Sequence, residues 1–237
     1  MFMLKSLFAV VLVVTASGCL RSLSASDEPR ESRSHVQPMD GANRASVHVQ
    51  FGGGALTVGA LDGREDTLAT MSYDGPSALL PTASYRVRDG GGELEYAIGD
   101  ADRRQRQSAD VRVHLARGVP LALSVEAGAA QSTLDLTGLR VTHLDLQAGA
   151  SDTRVRLPDA AGLTAVKVEG GATKLAFEVP PDVAAHIQVS GVLDARSIDE
   201  ARFRSLGGGR DRSPDYETAA NRVELRLELG AANLTVR

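Results

Sequence analysis

From Ala45 onward, apolar and polar residues alternate with a period of two. Val47-His48-Val49-Gln50-Phe51 and Leu56-Thr57-Val58 set the pattern, and Leu94-Glu95-Tyr96, Val111-Arg112-Val113-His114-Leu115 and Leu134-Asp135-Leu136 repeat it. Successive side chains of a strand point to opposite faces, so this alternation predicts half-buried β-strands. No window carries the 3.6-residue period of an amphipathic helix. One short helical turn is expected around Arg202-Phe203-Arg204.

A second regularity lies over the first. Val125-Glu126-Ala127-Gly128-Ala129 recurs as Leu146-Gln147-Ala148-Gly149-Ala150, as Val168-Glu169-Gly170-Gly171-Ala172 and as Leu227-Glu228-Leu229-Gly230-Ala231. Val49-Gln50-Phe51-Gly52-Gly53 fits the same pattern, and Val87-Arg88-Asp89-Gly90-Gly91 is a looser copy. Each copy reads apolar, Glu or Gln, any residue, Gly, then Ala or Gly, and a further short strand follows. Gly128, Gly149 and Gly171 are spaced by about 21 residues, enough for two or three short strands with their corners. That is one rung of a β-solenoid, which must stack on neighbours to bury its apolar edge. A corner glycine permits a bend or a positive φ. About 190 residues would make roughly nine such rungs. The less regular stretches 60–82 and 190–218 read as inserted loops, and an antiparallel sandwich with glycine turns is the competing architecture.

The first residues follow a different logic. Lys5 precedes the apolar run Leu7–Val14, then come Thr15-Ala16-Ser17-Gly18 and Cys19, the only cysteine. The run is too short to span a bilayer and reads as a secretory signal. Ser17-Gly18-Cys19 resembles a bacterial lipoprotein processing site, although Ala16 stands where a Leu is usual. The resemblance implies that Cys19 is lipidated and becomes the new N-terminus; ordinary signal cleavage is the alternative. Leu20 is not the Asp that often retains such proteins at an inner membrane, which points to the outer membrane if the cell has one. Residues 21–44 are polar, Ser-rich and without apolar period, as expected of a flexible tether. The expected organisation is therefore a signal over 1–18, a lipidated, disordered tether over 19–44, and one all-β solenoid domain over 45–237.

Composition narrows the chemistry. Hydrophobic residues make up 43% of the 237-residue chain but aromatics only 4%, with no Trp, so the core must be aliphatic. The net charge of −4 disfavours a nucleic-acid binder. A single cysteine excludes a disulfide framework. His35, His48, His114, His143 and His186 lack metal-ligand spacing, and no metal or cofactor is expected. Gly52–Gly54, Gly90–Gly92 and Gly207–Gly209 lack the Lys-Ser/Thr of a phosphate loop. Asp100 and Asp102 lack the spacing of a calcium loop. Glu93 with Glu95 and Glu224 with Glu228 read as solvated strand faces rather than acid–base pairs. No G-x-S-x-G elbow is present, so no catalytic residue is assigned. Arg103-Arg104-Gln105-Arg106 is the one basic cluster; it could meet phosphates of lipid or polysaccharide, or balance Asp100, Asp102 and Asp110.

The segments Ala148-Gly149-Ala150 with Arg154–Pro158, Val168–Ala172 with Phe177–Pro180, and Leu227–Ala231 resemble the toast-rack and putative-adhesin domains of bacterial envelope proteins. They are also similar to the C-terminal portion of cell-wall-active-antibiotic response proteins. The resemblance covers 45–237 and implies a β-solenoid, an envelope location and no known catalytic residues. The function expected is a non-enzymatic, lipid-anchored envelope protein that contacts the membrane through its lipid and an envelope protein through its β-faces. A glycan-binding adhesin, an envelope-stress regulator and, further off, a polysaccharide-acting solenoid enzyme are the alternatives. Exposed aromatic platforms would favour the adhesin, but Tyr73, Tyr85, Tyr96 and Tyr216 are scattered. Far-ultraviolet circular dichroism should show β-structure with little helix; a helix content above about 25% would exclude the proposed fold.

Overall fold

The computed structural model describes residues 29–63, 66–99 and 108–237. In chain order the strands are β1 (Arg30–Pro38), β2 (Arg44–Ala60), β3 (Thr67–Pro76), β4 (Thr82–Arg88), β5 (Gly91–Ile98), β6 (Ala109–Leu115), β7 (Pro120–Asp135) and β8 (Arg140–Ala148). There follow β9 (Asp152–Arg156), β10 (Leu163–Gly170), β11 (Thr173–Glu178), β12 (Ala184–Ile198), β13 (Arg204–Gly207), β14 (Arg210–Arg212) and β15 (Arg222–Val236). A 3₁₀ turn at Ser77–Leu79 is the one helical element among the described residues. At Arg202 and Phe203 the amides donate to Asp199 O, making the single turn expected there.

The strands stack as rungs, each with two arms meeting at a glycine-rich corner. In β2, β7, β12 and β15 one long strand supplies both arms; β5 with β6, β8 with β9 and β10 with β11 divide the task. Neighbouring rungs pair in parallel, in the spatial order β5/β6, β2, β7, β8/β9, β10/β11, β15, β12. Within each arm the alternation sends every second side chain inward. In-register pairing then aligns the inward residues in columns: Tyr96, Val49, Val125, Leu146, Val168 and Leu227 along the first arms, and Val113, Val58, Leu134, Val155, Phe177 and Val236 along the second. All of these side chains are buried. The seven residues expected to face inward from the alternation, Leu146, Val155, Leu157, Val166, Val168, Leu175 and Phe177, are buried too. β-Branched and leucine side chains suit such columns because they fill the pleated surface without polar atoms.

The solenoid expectation is met, with three corrections. The rungs number seven rather than about nine, because β1, β3 and β4 at one end and β13 and β14 at the other pair antiparallel and close the stack. The stretches 60–82 and 190–218 are therefore mostly strand rather than loop. Chain order is not spatial order: β5/β6 lies outside β2, and the last strand, β15, lies between β10/β11 and β12. Finally, the tether expected over 19–44 is structured in its described part. Arg30–Pro38 pairs along its length with β3. Arg30 donates to Asp74 at 2.7 Å and Ser32 to Asp74 at 2.8 Å, and both bonds hold the Asp74 carboxyl below its ordinary range. Across the two arms, His35 Nδ1 and the buried Tyr96 hydroxyl lie 3.0 Å apart; burial pushes the Tyr96 phenol pKa up. Backbone pairing, which needs no apolar period, docks this segment.

Antiparallel closure protects the open edges of a parallel stack, where unpaired backbone would recruit another chain. At the far end the second arm of β12 also carries an inward-facing charge. Arg196 pairs with Leu234 in register and forms an ion pair with Asp211 of β14. The Asp211 side chain is 5% exposed. Removing one partner of a shielded pair strands the other. Arg196→Met should therefore cost about 3 kcal/mol in urea unfolding, and adding Asp211→Leu should restore most of it. Equal loss in the single and double variants would show that the pair does not hold this end together.

Candidate functional site

The corner itself forms an open groove of about 800 Å³. Its floor is a row of glycines from successive rungs, Gly99, Gly52, Gly128, Gly149 and Gly171, and Gly230 continues the row beside Gly171. Gly149 N–H donates to Ala127 O at 2.9 Å and Gly171 N–H to Ala148 O at 3.0 Å, carrying the ladder through the bend. The reason for glycine differs from the expected one at the three periodic positions. Gly128, Gly149 and Gly171 do not have positive φ. Close approach requires glycine at two of them: a Cβ at Gly149 would lie 3.0 Å from Gly128 O, and one at Gly128 would press harder still on Gly52 O, whereas Gly171 has room for one.

Beside this floor stand the second residues of the repeated motif. Gln50, Glu126, Gln147, Glu169 and Glu228 occupy one register line across β2, β7, β8, β10 and β15. Strand spacing puts about 4.8 Å between consecutive members. Three carboxylates so close would repel, and the flanking residues offset this. His48 Nε2 sits 3.0 Å from Glu126 Oε1, and Gln50 Nε2 donates to Glu126. Lys167 bonds Glu169, which raises the lysine pKa above its ordinary value. The result is a ladder of acceptors and amides with exposed backbone at its foot. It can hydrogen-bond an extended partner, whereas acid–base chemistry would need a carboxyl with a strongly shifted pKa.

Other residues singled out in the sequence are dispersed or occupied. Glu93 is bonded by Arg86, and Glu224 by Arg226 at 2.7 Å. His143 Nδ1 lies 3.1 Å from Thr142 Oγ1, and His186 packs edge-on against Tyr216. His114 lies on the outer face of β6. Among the described residues no three His, Cys, Asp or Glu side chains converge as metal ligands, and no helix is long and apolar enough to cross a membrane. Cys19, Asp100, Asp102 and the Arg103–Arg106 cluster lie outside the described residues. The Glu/Gln of the motif was visible as a repeat, but nothing local revealed that β15 brings Glu228 beside Glu169.

The model of the N-terminal domain of toast_rack, DUF2154, matches residues 25–178, more than half of the chain. The chain belongs to the toast-rack family. The match begins before β1, in keeping with the docking of that strand, and ends at Glu178, although the toast-rack stack continues without a break through β15 and β12. Among solved structures, a putative cell adhesion protein from Clostridium sporogenes ATCC 15579 is similar at 18% identity and a TM-score of 0.78, over 88% of this chain and 100% of its own. That likeness shows the fold. A putative adhesin from Bacteroides fragilis NCTC 9343 aligns at 10% identity over 88% of this chain and 97% of its own, with a TM-score of 0.24 that carries no argument. No curated protein matches.

The glycine row yields a graded expectation. Gly128→Ala should destabilise the stack by about 2 kcal/mol, as an overpacked contact against backbone does. Gly171→Ala should be nearly neutral, because its Cβ would meet Gly149 O at an ordinary 3.6 Å. Thermal melts of the two variants check the order; equal effects would overturn the close-approach explanation.

Proposed function

We propose that this toast-rack protein is a lipid-anchored interaction module of the bacterial cell envelope, without catalytic activity. The observation that carries the reading is the in-register ladder from Gln50 to Glu228 along the open corner groove. A rigid sheet with repeated acceptors and an exposed backbone floor suits adhesion to an extended partner. The solved fold relative is itself described as a putative cell adhesion protein, which agrees with this role.

Anchoring is the second part of the proposal and rests on Lys5, the apolar run and Ser17-Gly18-Cys19. Acylation at Cys19 would tether the domain through the short segment before Arg30. That places β1, and the closed end of the stack to which it belongs, nearest the bilayer. Leu20 favours the outer membrane where there is one. The reading assigns no catalytic residue; Glu93, Glu224 and Glu169 are engaged by Arg86, Arg226 and Lys167.

Cys19→Ser should abolish incorporation of labelled palmitate and move the protein from the membrane to the soluble fraction, while the melting temperature of the β-domain stays unchanged. A wild-type chain that takes up no palmitate would refute the anchor.

A further inference from the structure

A second concavity lies on the outer face of the first arms, beside the corner groove. It is a trench of about 410 Å³. Its floor is built from small side chains, Ser46 on β2 and Ala122 and Ser124 on β7. One bank is the β4–β5 hairpin, which carries Ser84, Arg86, Glu93 and Glu95; the other is β8, which carries His143 and Asp145. The trench exists because three adjacent floor positions are small while both banks carry long or ringed side chains.

The charges along it do not cancel. Arg86 is engaged by Glu93, and His48 at the trench side by Glu126. Glu95 and Asp145 have no hydrogen bond or ion pair among the described residues, and Asp145 Oδ1 is shielded from solvent without a partner. Lys167 neighbours Asp145 in register, but its ammonium is bonded to Glu169. Glu95, His48, Ser124 and Asp145 share one register line. The two free carboxylates therefore stand three strands apart, roughly 14 Å between their backbones. A shielded acceptor without a donor is costly, and a ligand that brings a donor offsets that cost.

We propose that this trench binds a short run of non-acetylated amino sugar, with its ammonium groups at Glu95 and Asp145 and its hydroxyls on the serines and imidazoles between them. The inference rests on the envelope-interaction reading and gives it a ligand chemistry. Charge complementarity selects a cation. The hydroxyl-rich floor selects a saccharide over a polyamine, whose methylene chain would leave Ser46, Ser84 and Ser124 unpaired. The lining contains no Phe, Tyr or Trp, so the sugar is held by its polar edges and its charge rather than by stacking on a large ring.

Titration of the full chain with a glucosamine tetramer, followed by calorimetry, tests this. The tetramer should bind, and its fully N-acetylated counterpart, of the same shape without the charge, should bind at least about tenfold more weakly. The double variant Glu95→Gln/Asp145→Asn should lose binding by a similar factor. Ser124→Gln, which fills the floor without changing charge, should also block it. No variant should melt below the wild type, because these side chains support no neighbour. No binding, equal binding of the acetylated tetramer, unchanged binding by the variants, or spermidine binding as tightly as the tetramer would each overturn the proposal. Because palmitate labelling is independent of this assay, a failure here is distinguishable from a failure of the anchor.

Discussion

Everything in this structure depends on how closely two rungs can approach at the corner. The rungs turn through glycines, and at Gly52, Gly128 and Gly149 the missing Cβ lets the carbonyl of the rung beside it come into contact. That contact fixes the register at the bend, and the register then fixes both arms. Once Gly149 stands on Gly128, Leu146 must stand on Val125, and Val155 on Leu134. The apolar columns are a consequence of this alignment, since a slip of one residue would turn each inward side chain to solvent. The same alignment also creates the surface. The motif places Glu or Gln two residues before the corner glycine, so stacking the glycines necessarily stacks the polar side chains into a ladder.

Parallel stacking alone would leave two open ends. The chain solves this at both ends by reversing direction. At one end β4, β3 and β1 run antiparallel; at the other β14 and β13 do. The insertion of β15 inside β12 has a physical benefit. It buries the regular motif of the last strand between two partners and leaves the outermost place to β12, whose bulges near Leu193 and inward Arg196 make it a poor template for another chain. The family match stops at Glu178, yet β15 completes the pairing of both β10 and β11. The two portions therefore form one cooperative stack.

The sequence made the rung interior legible and the rung order illegible, for one reason. Alternation and the glycine period are local, and Val125, Leu146 and Val168 carry them openly. Which rung lies beside which is decided by long-range pairing among rungs with nearly the same motif, so nothing local in Leu227-Glu228-Leu229-Gly230 shows that it lies inside β12. β1 was missed for the opposite cause. Arg30–Pro38 has no apolar period because it is an outer strand held by backbone bonds and by Asp74, with Gln37 its one buried side chain. The corner groove was half visible, through the glycines. The trench was invisible, because five strands from distant parts of the chain build it and its floor is defined by small residues that carry no signal alone.

The two surface features differ in what selection could act upon without harming the fold. At the corner, structure and surface are the same residues: changing Gly128 or its neighbours alters the approach of rungs as well as the groove. The ladder is thus constrained to remain a generic acceptor row. The trench residues are free of that constraint. Ser46, Ala122, Ser124, Glu95 and Asp145 point away from the apolar columns, and their replacement leaves the glycine stacking untouched. A repeat protein that needs specificity is expected to place it where the scaffold tolerates variation. By that reasoning the corner supplies rigidity, and on the proposed reading the outer face beside the β4–β5 hairpin is where discrimination between partners would be built.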